Sequence, residues 1–338
     1  MTEIEMLNPE VRELLLQARR PINRGPASWE KELPVLTLLH CTDPHGAKEE
    51  MRRLTLYAAD MAGLYEDILC TGDMVRKYFH TGYDYWREAG CEKILVCVGN
   101  HDALNNPDYD WDDRVPQKLL AATFFEPFVP LWGDNVEYTP GTTYFCKRYP
   151  AHKIDLIVLN TILDDEDDPA QFAFCREKLD RARAEGYGAV LAVHDTSAAE
   201  QAIVPSLFSC LDRPVEAPCG PGLRRRYQEA VDAFMNDGGE FICYLGGHGH
   251  RDYVCYDPDF PKQFYFLGPS VDMWKGNRHG DAARNAGTKS RDAFNFVSIE
   301  RSAGMVKIIR VGADRDHFLR HRGVLCFDYK NGKVLYED

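Results

Sequence analysis

The 338-residue sequence lacks three features that would assign it to a simple class. Its eleven cysteines form no C-x-x-C pair, and several lie inside apolar runs such as ILVCV and FICYL. It has no excess of basic residues, because the formal net charge is -13, and no apolar run is long enough to cross a bilayer. A disulfide scaffold, a generally basic nucleic-acid-binding surface and a membrane partner are therefore not expected.

The beginning of the chain also lacks the pattern of an export signal. MTEIEMLNPEVRELLLQARR is acidic and then amphipathic, with no basic segment followed by an apolar segment and a cleavage site. We therefore expect a cytoplasmic protein with reduced cysteines. With 44% hydrophobic residues, a chain of this length can bury a substantial core, but the sequence does not indicate an oligomeric state.

Short β-rich runs alternate with amphipathic helical patterns along most of the chain. The predicted strands are PVLTLLH, YEDILC, KILVCVGN, TTYFCKRY, KIDLIVLN, YGAVLAVH, EFICYLGG and QFYFLGP, and the longest predicted helices are KEEMRRLTLYAADMAGL, PAQFAFCREKLDRARAEG and LRRRYQEAVDAFMNDGG. This alternation predicts βαβ units with buried central strands, and hence an α/β protein. The last fifty residues instead read as a β-meander: AFNFVSIE, MVKIIRVG, GVLCFDY and KVLYE.

Polar side chains follow five of the predicted strands, at the point where each strand ends. They are Asp43 and His45, then Asp73, then Asn100, His101 and Asp102, then His194, and finally His248 and His250 in the turn GGHGH. In open α/β sheets this edge is where ligands bind, so we expect the side chains to meet at one rim. Carboxylates and imidazoles together are the ligands of a polynuclear metal site.

Simpler interpretations remain open for some of these residues. His248 and His250 are also compatible with a capped glycine turn, and His194 with a hydrogen-bonded pair at a strand end. Asp102 is equally compatible with a helix cap and with a partner of a catalytic or ligating group. The acidic run DDEDDP is predicted to be a solvated loop and a helix start.

The motifs DPH, GD, GNHD, a lone H and GHGH occur in this order between about residues 34 and 268. This pattern resembles the calcineurin-like metallophosphoesterase family. The resemblance implies a two-layered β-sandwich of mixed sheets flanked by helices. It also implies two divalent metal ions, one held by Asp43, His45 and His250, the other by Asn100, His194 and His248, with Asp73 as the bridge. His101 would then face the substrate, and His101 and Asp102 are the expected catalytic residues.

The chain departs from many members of this family at one position. Arg76 stands three residues after Asp73, where those members have Asn, Asp or Tyr, which excludes the tyrosine-ligated purple acid phosphatase branch. With the resemblance, we expect an N-terminal helical extension over 1–33, a metallophosphoesterase catalytic domain over 34–300, and a C-terminal β extension over 301–338 that packs on the same domain.

The resemblance implies hydrolysis of a phosphate ester, either a monoester or a diester, by a metal-bridged hydroxide. A ligand set without thiolates favours Mn, Fe or Zn. The cationic segment after Gly268 offers Lys275, Arg278 and His279 for substrate binding, although a surface loop is an equal alternative. Two other functions are considered: a nuclease-like phosphodiesterase, which would need a basic track, and a non-catalytic structural or binding protein that kept the fold.

Overall fold

The computed structural model of the chain describes two layers of β-sheet with helices on their outer faces. It describes residues 11–16, 18, 35–75, 86–104, 114–163, 165–195, 201–204, 223–250, 253–272, 291–312 and 324–337. No helix among these residues is long and apolar enough to cross a membrane. Residues 11–16 and 18 are helical, and Leu15 and Ala18 are buried.

The strands and helices follow the predicted alternation. In chain order the strands are β1 (Leu36–Cys41), β2 (Asp67–Cys70), β3 (Leu95–Val96), β4 (Val136–Tyr138), β5 (Phe145–Tyr149), β6 (Ile154–Val158), β7 (Gly188–Ala192), β8 (Gln201–Val204), β9 (Glu240–Gly246), β10 (Tyr253–Tyr256), β11 (Phe264–Leu267), β12 (Ala293–Glu300), β13 (Met305–Gly312), β14 (Val324–Asp328) and β15 (Lys333–Glu337). The α-helices are α1 (Lys48–Asp60), α2 (Asn100–Ala103), α3 (Gln117–Leu120), α4 (Asp168–Glu185) and α5 (Arg225–Asn236). A π-helical turn, Ala121–Phe125, continues α3, and a 3-10 turn follows at Val129–Leu131.

Both sheets are mixed, which confirms the predicted fold class. The first has the order β15-β14-β13-β12-β1-β2-β3, and the second the order β4-β5-β6-β7-β9-β11-β10-β8. In the first, β1, β2 and β3 are parallel; in the second, β6, β7, β9 and β11 are parallel. The remaining neighbours are antiparallel.

The predicted C-terminal meander is present and completes the first sheet. β12 pairs with β1 over Leu36↔Ile299 to His40↔Asn295, and β13, β14 and β15 follow as antiparallel neighbours. The strands on the two sides of residue 300, β12 and β13, are therefore directly paired. The domain boundaries at 33 and 300 stay a prediction.

Side-chain alternation along β6 shows how the layers pack. Ile154, Leu156 and Val158 belong to the apolar cluster that also contains residues of the first sheet. Ile157 belongs to a second cluster, which contains buried residues of α4 and α5. Because successive strand residues point to opposite faces, one face of β6 packs against the other sheet and the other face against these two helices.

The helix α4 begins inside the acidic run DDEDDP. Asp168 starts the helix with Pro169 in its first turn, a position that tolerates proline because the N–H there has no helical partner. The side chain of Asp165 is 96% exposed, as expected for a solvated loop. Asp168, in contrast, is buried, and its Oδ2 lies 2.8 Å from Arg224 Nη1, so this end of the run anchors α5 to α4.

Candidate metal centre

The strands that carry the predicted site residues end at one rim of the molecule. β1, β2 and β3 bring the residues after them from the first sheet, and β7 and β9 bring theirs from the second. Next to the rim, Thr42 forms an isolated parallel bridge with Ser270, which follows β11, so the two sheets are joined there. The rim is the carboxyl edge of both parallel strand sets, as the sequence predicts.

Four side chains form what we call the first cluster: Asp43, His45, Asp73 and His250. His250 Nε2 lies 3.0 Å from Asp43 Oδ1, and His45 Nε2 lies 3.2 Å from Asp73 Oδ2. His45 Nε2 also lies 3.8 Å from Asp43 Oδ1. The nitrogen and oxygen atoms of the four residues therefore converge on one point.

The second cluster consists of Asp73, Asn100, His194 and His248. His194 Nε2 lies 3.3 Å from Asp73 Oδ1. The side-chain oxygen of Asn100 lies 3.1 Å from His194 Nε2 and 3.0 Å from His248 Nδ1. The structure thus brings together all seven residues that the sequence analysis proposed as ligands, in the same two groups.

Asp73 belongs to both clusters through different atoms. Its Oδ2 faces His45 of the first cluster, and its Oδ1 faces His194 of the second. A carboxylate in this position can donate to two cations while it cancels part of their mutual repulsion. The side chain is therefore placed as a bridge.

The donor atoms fit the ions that the sequence analysis expects. Within each His/Asp group the donor atoms all lie within 4.8 Å of one another. An ion with bonds of about 2.1 Å separates neighbouring ligand atoms by roughly 3.0–3.4 Å, and the short donor separations here are 3.0 to 3.3 Å. Carboxylate, amide and imidazole donors without thiolates suit Mn, Fe or Zn.

A comparison with solved structures identifies the fold that carries this site. A dimetal phosphatase from Danio rerio is similar over 83% of this chain and 97% of its own, with a TM-score of 0.51 and 12% identity. The chain has the metallophosphoesterase fold. A purple acid phosphatase from yellow lupin seeds (Lupinus luteus) is similar over 90% of this chain and 53% of its own, with a TM-score of 0.47 and 11% identity. No family model and no curated protein matches the sequence.

The backbone at the centre of this metallophosphoesterase fold is strained. The left-handed region, which side chains with a Cβ rarely adopt, is occupied by Asp43 (φ 50°), His45 (46°), Asp73 (55°), His248 (65°) and His250 (58°). Each such residue costs on the order of 1–3 kcal/mol and persists only where the surrounding structure fixes it. The concentration of such residues among the proposed ligands makes the rim the candidate functional site.

The glycines of the motifs let the backbone come close to these ligands. A Cβ on Gly99 would lie 2.2 Å from Asp73 Oδ1, and one on Gly72 would lie 2.5 Å from the ring of His194. A Cβ on Gly247 would lie 1.9 Å from Thr42 Oγ1. None of these distances is possible between real atoms, so each position requires glycine.

We expect Gly99→Ala to weaken the binding of both ions, because the added methyl group displaces Asp73. Overpacking of this kind typically costs about 1–3 kcal/mol of unfolding free energy. Gly186→Ala is a matched control: it forces alanine into a left-handed conformation (φ 72°) where a Cβ meets nothing within 4 Å, at a cost of roughly 1–2 kcal/mol. Denaturant unfolding and metal titration of both variants test this. Equal metal binding by the two variants would contradict it.

The orientation of His194 is set by a backbone carbonyl. Its Nδ1 donates to Thr71 O at 2.6 Å, so Nε2 is the nitrogen that faces Asp73 and Asn100. Metal-binding histidines usually donate their other ring nitrogen in this way, which fixes the tautomer. The structure therefore presents the correct nitrogen of His194 to an ion.

Both aspartates of the site are held in the ionised form. Burial alone would raise the pKa of Asp73, but the nearby His194 and His101 outweigh it and hold that pKa well below its usual range. The pKa of Asp43 is likewise lowered, because His250 outweighs the effect of burial. Burial would lower the pKa of His194, but the Asp73 carboxylate raises it to about 10. Two anionic carboxylates are thus available to bind cations.

His101 lies at the edge of the first cluster. Its backbone N–H donates to Asp73 Oδ1 at 2.8 Å, and its ring packs edge-on against His45 with the ring centres 4.9 Å apart. The side chain is 12% exposed, whereas that of His45 is fully buried. His101 is therefore, like His250 with 11% exposure, an imidazole beside Asp73 that solvent can reach.

Asp102 caps the turn that carries Asn100. Its Oδ2 accepts from the N–H of Gly99 at 2.9 Å and its Oδ1 from the N–H of Val75 at 3.0 Å. Burial and the negative charge of Asp73 raise the pKa of Asp102 to about 7. These contacts support the helix-cap alternative, and a catalytic role for Asp102 stays a prediction.

The predicted substrate-binding residues lie outside the described residues, and two residues next to the clusters were not predicted. Lys275, Arg278 and His279, as well as Arg76, fall outside the described residues. Asp272, whose Oδ2 lies 3.9 Å from His45 Nδ1, and Thr42, which donates to Asp43, were not predicted. Asp272 follows β11, so the rule that polar residues after strands line the rim applies to it as well.

Proposed function

We propose that the protein is a hydrolase of phosphate esters that uses two divalent transition-metal ions, Mn, Fe or Zn. The placement of Asp73 carries this proposal, because its two oxygens face two separate groups of donors. In this proposal the first ion is held by Asp43, His45, Asp73 and His250, and the second by Asp73, Asn100, His194 and His248. The fold shared with a dimetal phosphatase supports it.

The charges of the ligands suit an anionic substrate. Two bound divalent ions supply activation of water and neutralisation of phosphate oxygens. Asp43 and Asp73 are the only carboxylates among the seven proposed ligands, and Asn100 contributes a neutral oxygen. The loaded centre therefore keeps a net positive charge, which attracts a phosphate group.

We assign proton donation to the leaving group to His101. The hydrogen bond from its backbone N–H to Asp73 ties its position to the bridge. Its partly exposed ring lies beside the first cluster, within reach of an ester bound there. An imidazole at this position can protonate an alkoxide as it departs.

The test is a substrate panel on protein loaded with Mn, Fe or Zn in turn. The panel contains phosphomonoesters, phosphodiesters, cyclic nucleotides, phosphoproteins, phospholipid headgroups and single-stranded DNA. We expect hydrolysis of at least one ester class that stops with a chelator and returns with metal. Cleavage confined to DNA would favour the nuclease alternative. Full metal loading without hydrolysis of any ester would contradict the proposal and favour the non-catalytic alternative.

A further inference from the structure

The hydroxyl group of Thr42 makes a short contact with a proposed ligand. Thr42 is fully buried, and its Oγ1 lies 2.6 Å from Asp43 Oδ2 and 3.2 Å from the carbonyl oxygen of Thr71. A hydroxyl has one proton, and hydrogen bonds from a hydroxyl to a carboxylate are about 2.5–2.7 Å long. The proton is therefore donated to Asp43.

The same carboxylate oxygen accepts a second hydrogen bond. The backbone N–H of His248 donates to Asp43 Oδ2 at 2.9 Å. The other oxygen, Oδ1, faces His250 at 3.0 Å and His45 at 3.8 Å. Two hydrogen-bond donors therefore hold Oδ2 on the far side of the carboxylate, and Oδ1 is the oxygen of Asp43 that faces the other side chains of the first cluster.

The side chain of Thr42 has little freedom to turn away. Its backbone pairs with the segment after β11, where the N–H of Val271 donates to Thr42 O at 2.9 Å. Gly247 packs directly on Oγ1, and a Cβ on Gly268 would lie 3.4 Å from Thr42 Cγ2. A β-branched side chain is also stiff at χ1. The packing thus fixes the hydroxyl on Asp43.

We propose that Thr42 is a positioning residue that fixes which oxygen of Asp43 faces the first cluster. Thr42 thereby raises the affinity of the first cluster for its ion. The affinity of the second cluster stays the same, since the Thr42 hydroxyl lies against Asp43 Oδ2 and the carbonyl oxygen of Thr71 and not against a side chain of the second cluster. The inference rests on the proposed function, because it requires an ion at the first cluster.

Thr42→Val tests this assignment, because it replaces the hydroxyl with a methyl group of similar size. Mn²⁺ is titrated into the metal-free full-length protein and its binding is followed by calorimetry. We expect one of the two binding steps to weaken by about 10–100-fold, as for other partners of metal ligands, and the other step to stay unchanged. Thr42→Ser keeps the hydroxyl and should bind like the wild type. Thr42→Ala is the second variant without a hydroxyl, for use if Thr42→Val does not fold.

Thr37→Val is the matched control, on β1, the strand that directly precedes Thr42. Thr37 is also fully buried, and its hydroxyl contacts Ser298 Oγ at 3.1 Å, away from the rim. We expect it to change thermal stability without changing either binding step. Thermal unfolding of each metal-free variant separates loss of stability from loss of affinity.

The other possible results of these titrations would contradict either the role of Thr42 or the proposed function. Equal weakening of both steps in Thr42→Val, or the same weakening in Thr37→Val, would make the role of Thr42 merely structural and overturn the assignment. Two unchanged steps in Thr42→Val, beside two steps in the wild type, would overturn it while the proposed function stands. If the wild type bound no ion, the proposed function would fail and this assignment with it.

Discussion

Asp73→Asn should remove both ions at once and lower kcat/KM by about 10³-fold or more, since the ions supply most of the electrostatic stabilisation of the reaction. Asparagine keeps the shape of the side chain and one acceptor for the N–H of His101, but it has no second anionic oxygen. The Asp73 carboxylate faces His45 with one oxygen and His194 with the other, so both clusters lose a ligand. Metal analysis and steady-state kinetics on the same preparations measure the two effects.

Asp43→Asn is the matched control for this prediction. Asp43 has the same side chain and the same complete burial, but its contacts with other proposed ligand side chains are within the first cluster. We expect it to lose the first ion and to retain the second. If Asp73→Asn also lost only one ion, Asp73 would belong to a single site and the bridging assignment would be wrong.

His101→Ala should lower kcat/KM for an alkyl phosphate ester by about 10²–10⁴-fold, the usual contribution of a general acid. The same change should have little effect on the corresponding p-nitrophenyl ester. An alkoxide needs a proton as it leaves, whereas p-nitrophenolate disperses its charge and leaves without one. Bound metal should stay nearly unchanged, because the 2.8 Å hydrogen bond to Asp73 comes from the backbone N–H of His101, which alanine retains, whereas the ring Nε2 lies 3.9 Å from Asp73 Oδ2.

His152→Ala controls for the loss of an imidazole. Its side chain is 12% exposed, like that of His101, but it precedes β6 and pairs with Glu66 at 3.1 Å, at the opposite end of that strand from the site. The His152→Ala variant should keep the wild-type kcat/KM for both esters. Equal losses on both esters in His101→Ala, accompanied by loss of metal, would make His101 a ligand or a structural residue.

The proximity of the proposed ligands could be predicted from the sequence because each of them follows a recognisable strand. Runs such as YEDILC and EFICYLGG are short, apolar and bounded by glycine, so their ends are visible without a structure. Parallel strands bring their carboxyl ends to one edge, which places Asp73 and His248 together although 175 positions separate them. The C-terminal meander was predictable from four apolar runs with no helical pattern between them.

Other features depend on tertiary packing and have no local signal. Nothing in the meander indicates that β12 pairs with β1, because strand pairing depends on the whole sheet. The strands β4, β8 and β10 were not predicted; β4 pairs with β5, and β8 joins the second sheet through β10, which pairs with β11. The hydrogen bond from Thr42 to Asp43 joins adjacent residues, yet it depends on a backbone conformation that is rare for aspartate and that the turn at Gly247 helps to hold.

The most direct test of the central claim is a Mn²⁺ titration of the metal-free protein, followed by metal analysis and by electron paramagnetic resonance. The account predicts two ions per chain and an exchange-coupled signal, because one carboxylate joins the two clusters and holds the ions close to each other. A single ion per chain under saturating Mn²⁺, or two ions with uncoupled signals, would contradict a dinuclear centre bridged by Asp73.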